Sequence, residues 1–198
     1  MKTEKEKMIS GEPYLANGKE LFTERMTAKE LVFEFNNSHP KDLKPRTEII
    51  KKLFGKTEKG FYIEPPFRCD YGYNIFIGKN FYSNYNCTIL DCAEVRIGDN
   101  VMFAPNVSIF TAGHPVHFEK RNTGLEYAFP VTIGDNVWIG GNVVINPGIT
   151  IGKNTVIGSG SVVTKDIPAN VIAVGNPCKV VREITDEDKL YYFKKMKI

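Results

Sequence analysis

Two of the three histidines in this 198-residue chain lie close together and are the first candidates for chemistry. His114 stands between Gly113 and Pro115, and His117 follows soon after. An imidazole with a pKa near neutrality can remove the proton of a hydroxyl group as that group attacks a carbonyl carbon. A lone histidine is more often a surface residue without a role, so position in the fold matters. We favour His114 as a general base, because its two neighbours restrict the backbone around it.

The elements that must position His114 repeat every six residues. From residue 131 to 165 an aliphatic residue recurs at every sixth position, and a second aliphatic or small series follows it. This period fits neither an amphipathic helix nor an alternating strand. It is typical of a parallel β-helix, in which each hexad forms one face of a triangular coil. The two series are Ile133, Ile139, Ile145, Ile151, Ile157 and Val163, and Val137, Val143, Ile149, Thr155 and Ser161.

The same period extends toward the amino terminus and is then interrupted. The segment 111–130, which carries His114, is therefore an insertion in the coil, and long insertions in rigid solenoids are often functional. The first interior positions of the coil are shifted by two residues relative to those that follow residue 95. This shift predicts a longer corner near 91–95. Glycine follows many interior residues, which predicts corners with backbone angles that a Cβ disfavours. The earlier interior positions are Ile97, Phe103 and Ile109, and, with the offset, Ile77, Ser83 and Ile89.

Segments with other patterns flank the coil. The first part of the chain has the spacing of two or three short helices, which asparagines and a proline at 36–40 interrupt. Residues 186–197, rich in lysine and aromatic residues, predict a short C-terminal helix that caps the coil. The predicted regions are an N-terminal helical segment at 1–60, the β-helix at 61–168 with its loop at 111–130, and a C-terminal segment at 169–198.

Composition argues against several classes of protein. A net charge of +3 is small for a nucleic-acid-binding protein. The first residues of the chain are charged and lack the apolar stretch of a signal peptide. The sequence also lacks a run of about 18 apolar residues, which a membrane-spanning helix would need. We therefore expect a cytoplasmic protein. The four cysteines lack the spacing of a zinc site, which predicts reduced thiols and no metal; they are Cys69, Cys87, Cys92 and Cys178.

Three long stretches of the chain together resemble a known family. They are NIFIGKNFYSNYNCTILDC, IGDNVMFAPNVSIFTAGHPVHFEKRNTGLEYAFPVTIGDNVWIGGNVVINPGITIG and VIGSGSVVTKDIPANVIAVGNPCKVVREI, and FEFNNSHP precedes them. With these motifs the chain is similar to the galactoside and maltose O-acetyltransferases of bacteria over nearly its whole length. The resemblance implies a mainly β fold, a left-handed parallel β-helix, which is an exception to the right-handed crossover rule. It also implies a homotrimer with active sites between subunits, and acetyl-CoA and a sugar as substrates.

The resemblance also implies roles for individual residues. His114 matches the catalytic base, and Asn84 matches an asparagine that helps to stabilise the transition state and contacts the acceptor. The other positions that match the acceptor site are Asp70, Cys92, Glu126 and, by a loose alignment, Asn17. The positions that match the coenzyme A site are Gly141, Ser159, Thr164, Lys165, Lys179 and Arg182. Charge alone would make Lys165, Lys179 and Arg182 a solvated edge, whereas the resemblance assigns them the phosphates of the coenzyme.

Two departures from the family leave the identity of the acceptor open. Cys92 stands where the galactoside branch has aspartate, and only Asn17, by a loose alignment, stands for the acidic acceptor contact that the family has near the amino terminus. Glu126 stands where one branch has methionine. We expect direct transfer of acetyl to a sugar hydroxyl, most simply the 6-hydroxyl, with a backbone N–H near Gly141 as donor to the thioester oxygen. Trp138 either flanks the pantetheine channel or packs between coils.

Other functions are compatible with a β-helix. Some β-helices of this handedness are zinc-dependent carbonic anhydrases, which need three imidazoles at the metal. That site would require His39, which lies in the helical front end. A cysteine nucleophile is a weak rival, since no cysteine has a matched histidine partner. The remaining alternative is a non-catalytic binding or scaffold protein.

Overall fold

The chain, described over all 198 residues by a computed structural model, folds as the predicted left-handed parallel β-helix. Three helices and one short strand precede the coil, and the second helix ends at the asparagines where the sequence predicts a break. No helix in the structure is long and apolar enough to cross a bilayer. The elements before the coil are α1 (Glu4–Ile9), β1 (Tyr14–Leu15), α2 (Lys19–Asn36) and α3 (Leu43–Leu53).

The coil itself consists of short parallel strands. Before the insertion they are β2 (Lys56–Thr57), β3 (Tyr62–Ile63), β4 (Phe67–Cys69), β5 (Ile75–Ile77), β6 (Tyr82–Ser83), β7 (Cys87–Leu90), β8 (Val95–Ile97), β9 (Met102–Phe103) and β10 (Ser108–Phe110). The insertion contains β11 (Ala112–Gly113), α4 (Phe118–Arg121) and β12 (Leu125–Ala128). After it come β13 (Val131–Ile133), β14 (Trp138–Ile139), β15 (Val144–Ile145), β16 (Thr150–Ile151), β17 (Val156–Ile157), β18 (Val162–Val163) and β19 (Val171–Val174).

The strands form three faces. The first face is β2-β5-β8-β13-β16, the second contains β3-β6-β9-β14-β17-β19, and the third is β4-β7-β10-β15-β18. Equivalent residues pair in register between coils, so interior side chains stack in columns. The predicted interior is confirmed, since residues of the first series are at most 1 % exposed: Ile133, Ile139, Ile145, Ile151, Ile157 and Val163.

The corner between the first and second faces is built from asparagines. Each of these asparagines turns the chain with a positive φ, a conformation that asparagine tolerates better than most residues. Each side-chain amide except the last also donates a hydrogen bond to the asparagine of the next coil, at 2.8–3.1 Å. We call this column the asparagine ladder; it contains Asn80, Asn100, Asn136, Asn154 and Asn170.

The glycines that follow the interior residues are required for a reason other than the predicted backbone angles. Gly98 and Gly134 are absent from the residues with positive φ. A Cβ built on Gly98 would lie 2.8 Å from the backbone nitrogen of Asp135, and one on Gly134 would lie 2.6 Å from that of Lys153. The prediction of unusual backbone angles at these glycines was therefore wrong. They are needed because successive coils approach too closely for a side chain.

The corner between the third and first faces is irregular, and we call it the site corner. It consists of residues 70–74, 91–94 and the insertion 111–130. The predicted extra length near 91–95 is present, because the buried residues Ile89 and Ile97 on either side are eight positions apart instead of six. We call the remaining corner, between the second and third faces, the opposite corner.

The C-terminal segment differs from the predicted helix. Only its first part is helical, as a 3-10 helix at Asp186–Leu190. The aromatic residues after it pair as an antiparallel hairpin, since aromatic side chains favour strands and Lys194 makes the turn with a φ of 49°. The strands of this segment are β20 (Lys179–Glu183), which pairs antiparallel with β19, and β21 (Tyr191–Phe193) and β22 (Met196–Lys197).

Candidate active site

A cavity of about 320 Å³ opens at the site corner. His114 lines it together with three residues that the sequence assigns to the acceptor site, namely Asp70, Cys92 and Glu126. These four residues come from three successive coils, which the fold stacks at one corner. The structure therefore brings the predicted base and most of the predicted acceptor residues into a single cavity.

The orientation of His114 fixes its tautomer. Its Nδ1 lies 2.9 Å from the carbonyl oxygen of Leu125. A carbonyl oxygen only accepts hydrogen bonds, so Nδ1 carries the proton and, in the neutral ring, Nε2 carries the lone pair. This is the arrangement that a general base requires. His117 lies outside the cavity, where it begins α4 and its ring stacks on Phe118 at a centroid distance of 5.1 Å.

The backbone of the insertion is held by a small sheet of its own. Strand β12 pairs antiparallel with β11 on one side and with β1 on the other. Gly113 pairs with Tyr127, and a Cβ on this glycine would lie 2.6 Å from Cζ of the Tyr127 ring. Only glycine fits before His114, because the tyrosine ring occupies the space of a side chain. The N-terminal strand is thus part of the scaffold of the site.

Part of the cavity lining is acidic, because Asp70 and Glu126 both contribute to it. The thiol of Cys92 donates to Oδ2 of Asp70 at 3.5 Å, and the hydroxyl of Tyr14 donates to Oε2 of Glu126 at 2.7 Å. Burial raises the pKa of the Asp70 carboxyl, and burial also raises the pKa of the Cys92 thiol. The thiol therefore stays protonated at neutral pH, which argues against Cys92 as a nucleophile.

Asp91 holds the backbone from which Asp70 projects, and sequence reasoning missed it. Its Oδ1 accepts hydrogen bonds from the backbone N–H groups of Asp70 at 3.0 Å and Tyr71 at 2.8 Å. Its own carbonyl oxygen accepts one from the side chain of Asn74 at 2.7 Å. Burial raises the pKa of the Asp91 carboxyl to about 7. An aspartate inside the predicted longer corner was the available signal.

Other predicted site residues lie at the opposite corner of the same chain. Asn84, Gly141 and Ser159 all fall there, just beyond strands of the second face. The third face separates them from His114, and a four-residue strand such as β7 spans roughly 13 Å. The Gly141 N–H donates to Oγ of Ser159 at 3.1 Å. One chain therefore does not unite Asn84 with the cavity.

The basic residues predicted for the coenzyme are exposed and differ in their partners. Thr164 and Lys165 follow β18 at the site corner, whereas Lys179 lies on β20. Arg182, also on β20, makes two hydrogen bonds to the carboxylate of Asp188, at 2.7 and 2.8 Å. The guanidinium is therefore already paired within the chain.

Two further predictions concern Asn17 and Trp138. Asn17 is exposed in the turn between β1 and α2 and is outside the cavity lining. Trp138 is 51 % exposed on the outer side of the second face. It belongs to a column of apolar side chains, which we call the outer stripe: Tyr62, Tyr82, Met102, Trp138, Val156 and Ile172.

The histidines do not converge on one site. His39 is exposed beyond α2, away from the insertion that holds the other two. The structure contains no group of three or more His, Cys, Asp or Glu side chains arranged to hold a metal ion. The three-imidazole site of the carbonic anhydrase alternative is therefore not formed within the chain.

Comparison with known proteins agrees with the fold and the motifs. Residues 7–58 match the maltose acetyltransferase hexapeptide capping motif, and residues 130–165 match the bacterial transferase hexapeptide (six repeats). Galactoside O-acetyltransferase of Escherichia coli (strain K12) is 52 % identical over 174 residues, which cover 88 % of this chain and 86 % of that protein. The chain belongs to the galactoside and maltose O-acetyltransferase family. The resemblance inferred from the motifs is thereby confirmed.

Solved structures of this family have the same fold. A maltose O-acetyltransferase from Clostridium difficile 630 is 56 % identical with a TM-score of 0.92, over 93 % of this chain and 99 % of that one. A galactoside acetyltransferase in complex with coenzyme A is 51 % identical with a TM-score of 0.97, over 100 % of this chain and 99 % of that one. The likeness to galactoside and maltose O-acetyltransferases thus extends over the N-terminal helices and the coil together.

Proposed function

We propose that this acetyl-CoA-dependent O-acetyltransferase of the galactoside and maltose type transfers acetyl directly to a sugar hydroxyl, with His114 as the general base. The observation that carries the proposal is the bond from Nδ1 of His114 to the carbonyl oxygen of Leu125, which leaves Nε2 as a proton acceptor inside the cavity. The complexes of relatives with coenzyme A and acetyl coenzyme A support the donor.

The reaction needs only one protein group to move a proton. Nε2 of His114 accepts the hydroxyl proton of the acceptor while the hydroxyl oxygen attacks the thioester carbon. The carbon–sulfur bond then breaks, and the imidazolium returns the proton to the departing thiolate. During this step the Leu125 carbonyl stabilises the positively charged ring through Nδ1–H. A base of this kind contributes about a hundred- to ten-thousandfold in rate.

Negative charge develops on the thioester oxygen and requires a donor. We assign this donor to the Gly141 N–H, with Asn84 orienting the acceptor or sharing the charge. The Gly141 N–H bonds to the hydroxyl of Ser159, which is exposed and can rotate away when the thioester binds. Lys165 and Lys179 supply positive charge for the phosphates of the coenzyme, together with the hydroxyl of Thr164. Arg182 contributes there once it exchanges Asp188 for a phosphate.

The active site is formed between two copies of the chain in a homotrimer. His114 and the acidic residues are at the site corner, whereas Asn84, Gly141 and Ser159 are at the opposite corner, so each site draws on one corner of each copy. The outer stripe supports this assembly, because Met102 and Trp138 are each 51 % exposed on the second face. Burying a large apolar side chain contributes about 1.5–3 kcal/mol.

The acceptor is a galactoside, maltose or a related sugar, bound through its hydroxyl groups. Asp70 and Glu126 line the cavity beside His114 and offer carboxylate oxygens as hydrogen-bond acceptors. Hydroxyl groups of a sugar are matching donors. The primary 6-hydroxyl is the least hindered of them and is the proposed site of acetylation.

The decisive test is thiol release from acetyl-CoA in the presence of a panel of sugars. We expect sugar-dependent release that falls about a hundredfold or more in His114→Ala. The matched control is His117→Ala, because this histidine lies outside the cavity in the same insertion. Release without stimulation by any sugar would contradict a sugar acceptor. Absence of coenzyme A binding, measured as a thermal shift, would favour the non-catalytic alternative.

A complementation experiment tests the shared site. His114→Ala and Asn84→Ala are each expected to be inactive alone. Mixed trimers of the two variants should regain activity, at about a quarter of the sites for random assembly, because an intact His114 then faces an intact Asn84 of a neighbour. Mixed assemblies that stay inactive would show that both residues serve one chain's own site.

A further inference from the structure

Tyr14 is a buried residue of the N-terminal strand that the proposed mechanism does not use. Its side chain is 0 % exposed and packs in a small apolar cluster separate from the core of the coil. Cys92, which lines the cavity, and Ala128, at the end of β12 in the insertion, belong to the same cluster. The tyrosine therefore lies directly behind the acceptor side of the site.

The hydroxyl of Tyr14 has a charged acceptor, the carboxylate of Glu126. It donates to Oε2 of Glu126 at 2.7 Å, which is a short, charge-assisted hydrogen bond. Burial raises the pKa of Tyr14 far above its ordinary value, so the phenol keeps its proton and remains a donor. The bond fixes one carboxylate oxygen of Glu126 and leaves the other, Oε1, for a ligand in the cavity.

Backbone pairing keeps these two side chains opposite each other. Tyr14 pairs directly with Glu126 in the β1–β12 ladder, and Leu15 pairs with Leu125. Leu125 is also the residue whose carbonyl oxygen binds His114. One N-terminal strand therefore supports both the acidic side of the cavity and the residue that orients the base.

The bond also moderates repulsion between the two acids. Burial raises the pKa of the half-buried Asp70 carboxyl, and the charge of Glu126 adds to this effect. A donor on Glu126 spreads part of that charge away from Asp70. Both carboxylates can then accept hydrogen bonds from neighbouring hydroxyl groups of one acceptor.

We propose that Tyr14 is a positioning residue for acceptor specificity: it holds Oε2 of Glu126 so that Oε1 accepts a hydroxyl of the sugar in the cavity that Asp70 also lines. This proposal rests on the proposed function. It assigns the N-terminal strand a place in substrate recognition, in addition to pairing with the insertion. Tyr14 itself touches neither substrate.

Tyr14→Phe tests the proposal, because it removes one hydroxyl and keeps the ring that packs. Loss of a hydrogen bond to a charged group frees the Glu126 carboxylate, so KM for the sugar should rise about tenfold or more. The kcat and the KM for acetyl-CoA should change less than about threefold, since His114 and the coenzyme site are intact. Acceptor ranking should change as well, with sugars that differ at one hydroxyl becoming less distinguishable.

Tyr73→Phe is the matched control. The Tyr73 hydroxyl also donates to a glutamate carboxylate at 2.7 Å, that of Glu24, and neither residue lines the cavity. This variant should keep both KM values. In Glu126→Gln, the added Tyr14→Phe change should raise the sugar KM less than it does in the wild type, because the two residues act as a unit.

The outcomes distinguish the positioning role of Tyr14 from the transferase activity itself. Equal sugar KM values in the wild type and Tyr14→Phe would overturn the positioning role while leaving the transferase in place. The same holds if Tyr14→Phe and Tyr73→Phe raise the sugar KM equally, which would indicate general loosening. A wild-type protein that releases no thiol with any sugar would overturn the proposed function and the acceptor subsite together.

Discussion

The asparagine corner and the site corner turn the same chain around the same coil by different means. At the asparagine corner, one residue type recurs in five successive coils and bonds to its copy in the next. At the site corner, no two levels are alike. Asp91 binds the backbone at Asp70 and Tyr71, and Thr111 accepts from the Ala93 N–H at 2.9 Å.

The difference shows how a repeating fold acquires a specific site. A repeated bond is the same at every level, so losing one member leaves the others in place. The bonds of the site corner are each unique, and a buried acid such as Asp91 holds a shape that no repeat could provide. Regularity at one corner stabilises the coil, whereas irregularity at another positions side chains for chemistry.

The largest expected effect concerns the buried acid of the site corner. Burial raises the pKa of Asp91 to about 7, above the value of roughly 3.9 for an unfolded chain. The folded state therefore retains a proton that the unfolded state has lost. This contribution to stability is fully present below about pH 4 and is lost as the pH rises through 7, at up to about 1.4 kcal/mol per pH unit.

Asp91→Asn should abolish that slope, because an amide does not titrate. Urea unfolding of the wild type and the variant between about pH 4 and pH 8 measures the difference. Parallel stability curves for the two proteins would show that Asp91 is not the group responsible, and would weaken the contrast between the two corners.

Gly113→Ala tests whether the site corner depends on close packing. The added Cβ would meet the Tyr127 ring, which must shift together with β12 and the Leu125 carbonyl that orients His114. Displacement of a catalytic group by about 1 Å costs about a hundredfold in rate, or about 2.7 kcal/mol. We expect kcat to fall by about that factor while the thermal unfolding temperature changes little.

Gly18→Ala is the control for this substitution. No atom lies within 4 Å of a Cβ built on Gly18, and this residue has an ordinary φ of −66°. Its kcat should equal that of the wild type. A wild-type kcat in Gly113→Ala would show that the insertion accommodates a side chain and that its sheet does not fix the base.

The smallest effect is expected at the asparagine corner. Asn136→Ala removes two ladder bonds and places alanine, which tolerates a positive φ less well than asparagine, at a φ of 58°. We expect the free energy of unfolding to fall by about 1–2 kcal/mol. Asn136→Gly should lose less, since glycine adopts this φ without strain. Both variants should keep full acetyl transfer, measured by thiol release. Loss of activity in either would mean that the two corners are coupled.

The six-residue period was sufficient to predict the coil, but it did not predict the structure of the segments at its ends. Isoleucines such as Ile133 and Ile151 mark the interior because the six-residue period is local and repeats. The hairpin after the 3-10 helix was missed, since Tyr191 and its neighbours fit a helix as well as a strand when the partner strand is unknown. The glycines were correctly placed at corners, but their reason, contact with the next coil, is visible only in three dimensions.

The candidate site was predictable as far as its residues resemble a family. Asp70, Cys92 and Glu126 were assigned in this way, whereas His114 was also favoured from its place in the insertion, and all four share one cavity. Asp91 was missed because its partners are backbone groups, which carry no signature in sequence. Tyr14 was missed for a related reason: its partner is distant along the chain, and no period or motif connects them.

The pairing of β1 with β12 has a consequence for how the protein is produced and handled. The hydrogen-bonded residues Tyr14 and Glu126 are 112 positions apart, so the ribosome completes the first long before the second exists. The N-terminal strand must wait, undocked, until the insertion has been synthesised, and only then can the loop around the histidine become ordered. A purification tag fused ahead of α1 is therefore attached close to the catalytic loop, and enzyme assays of tagged and cleaved protein should be compared before any kinetic constant is assigned.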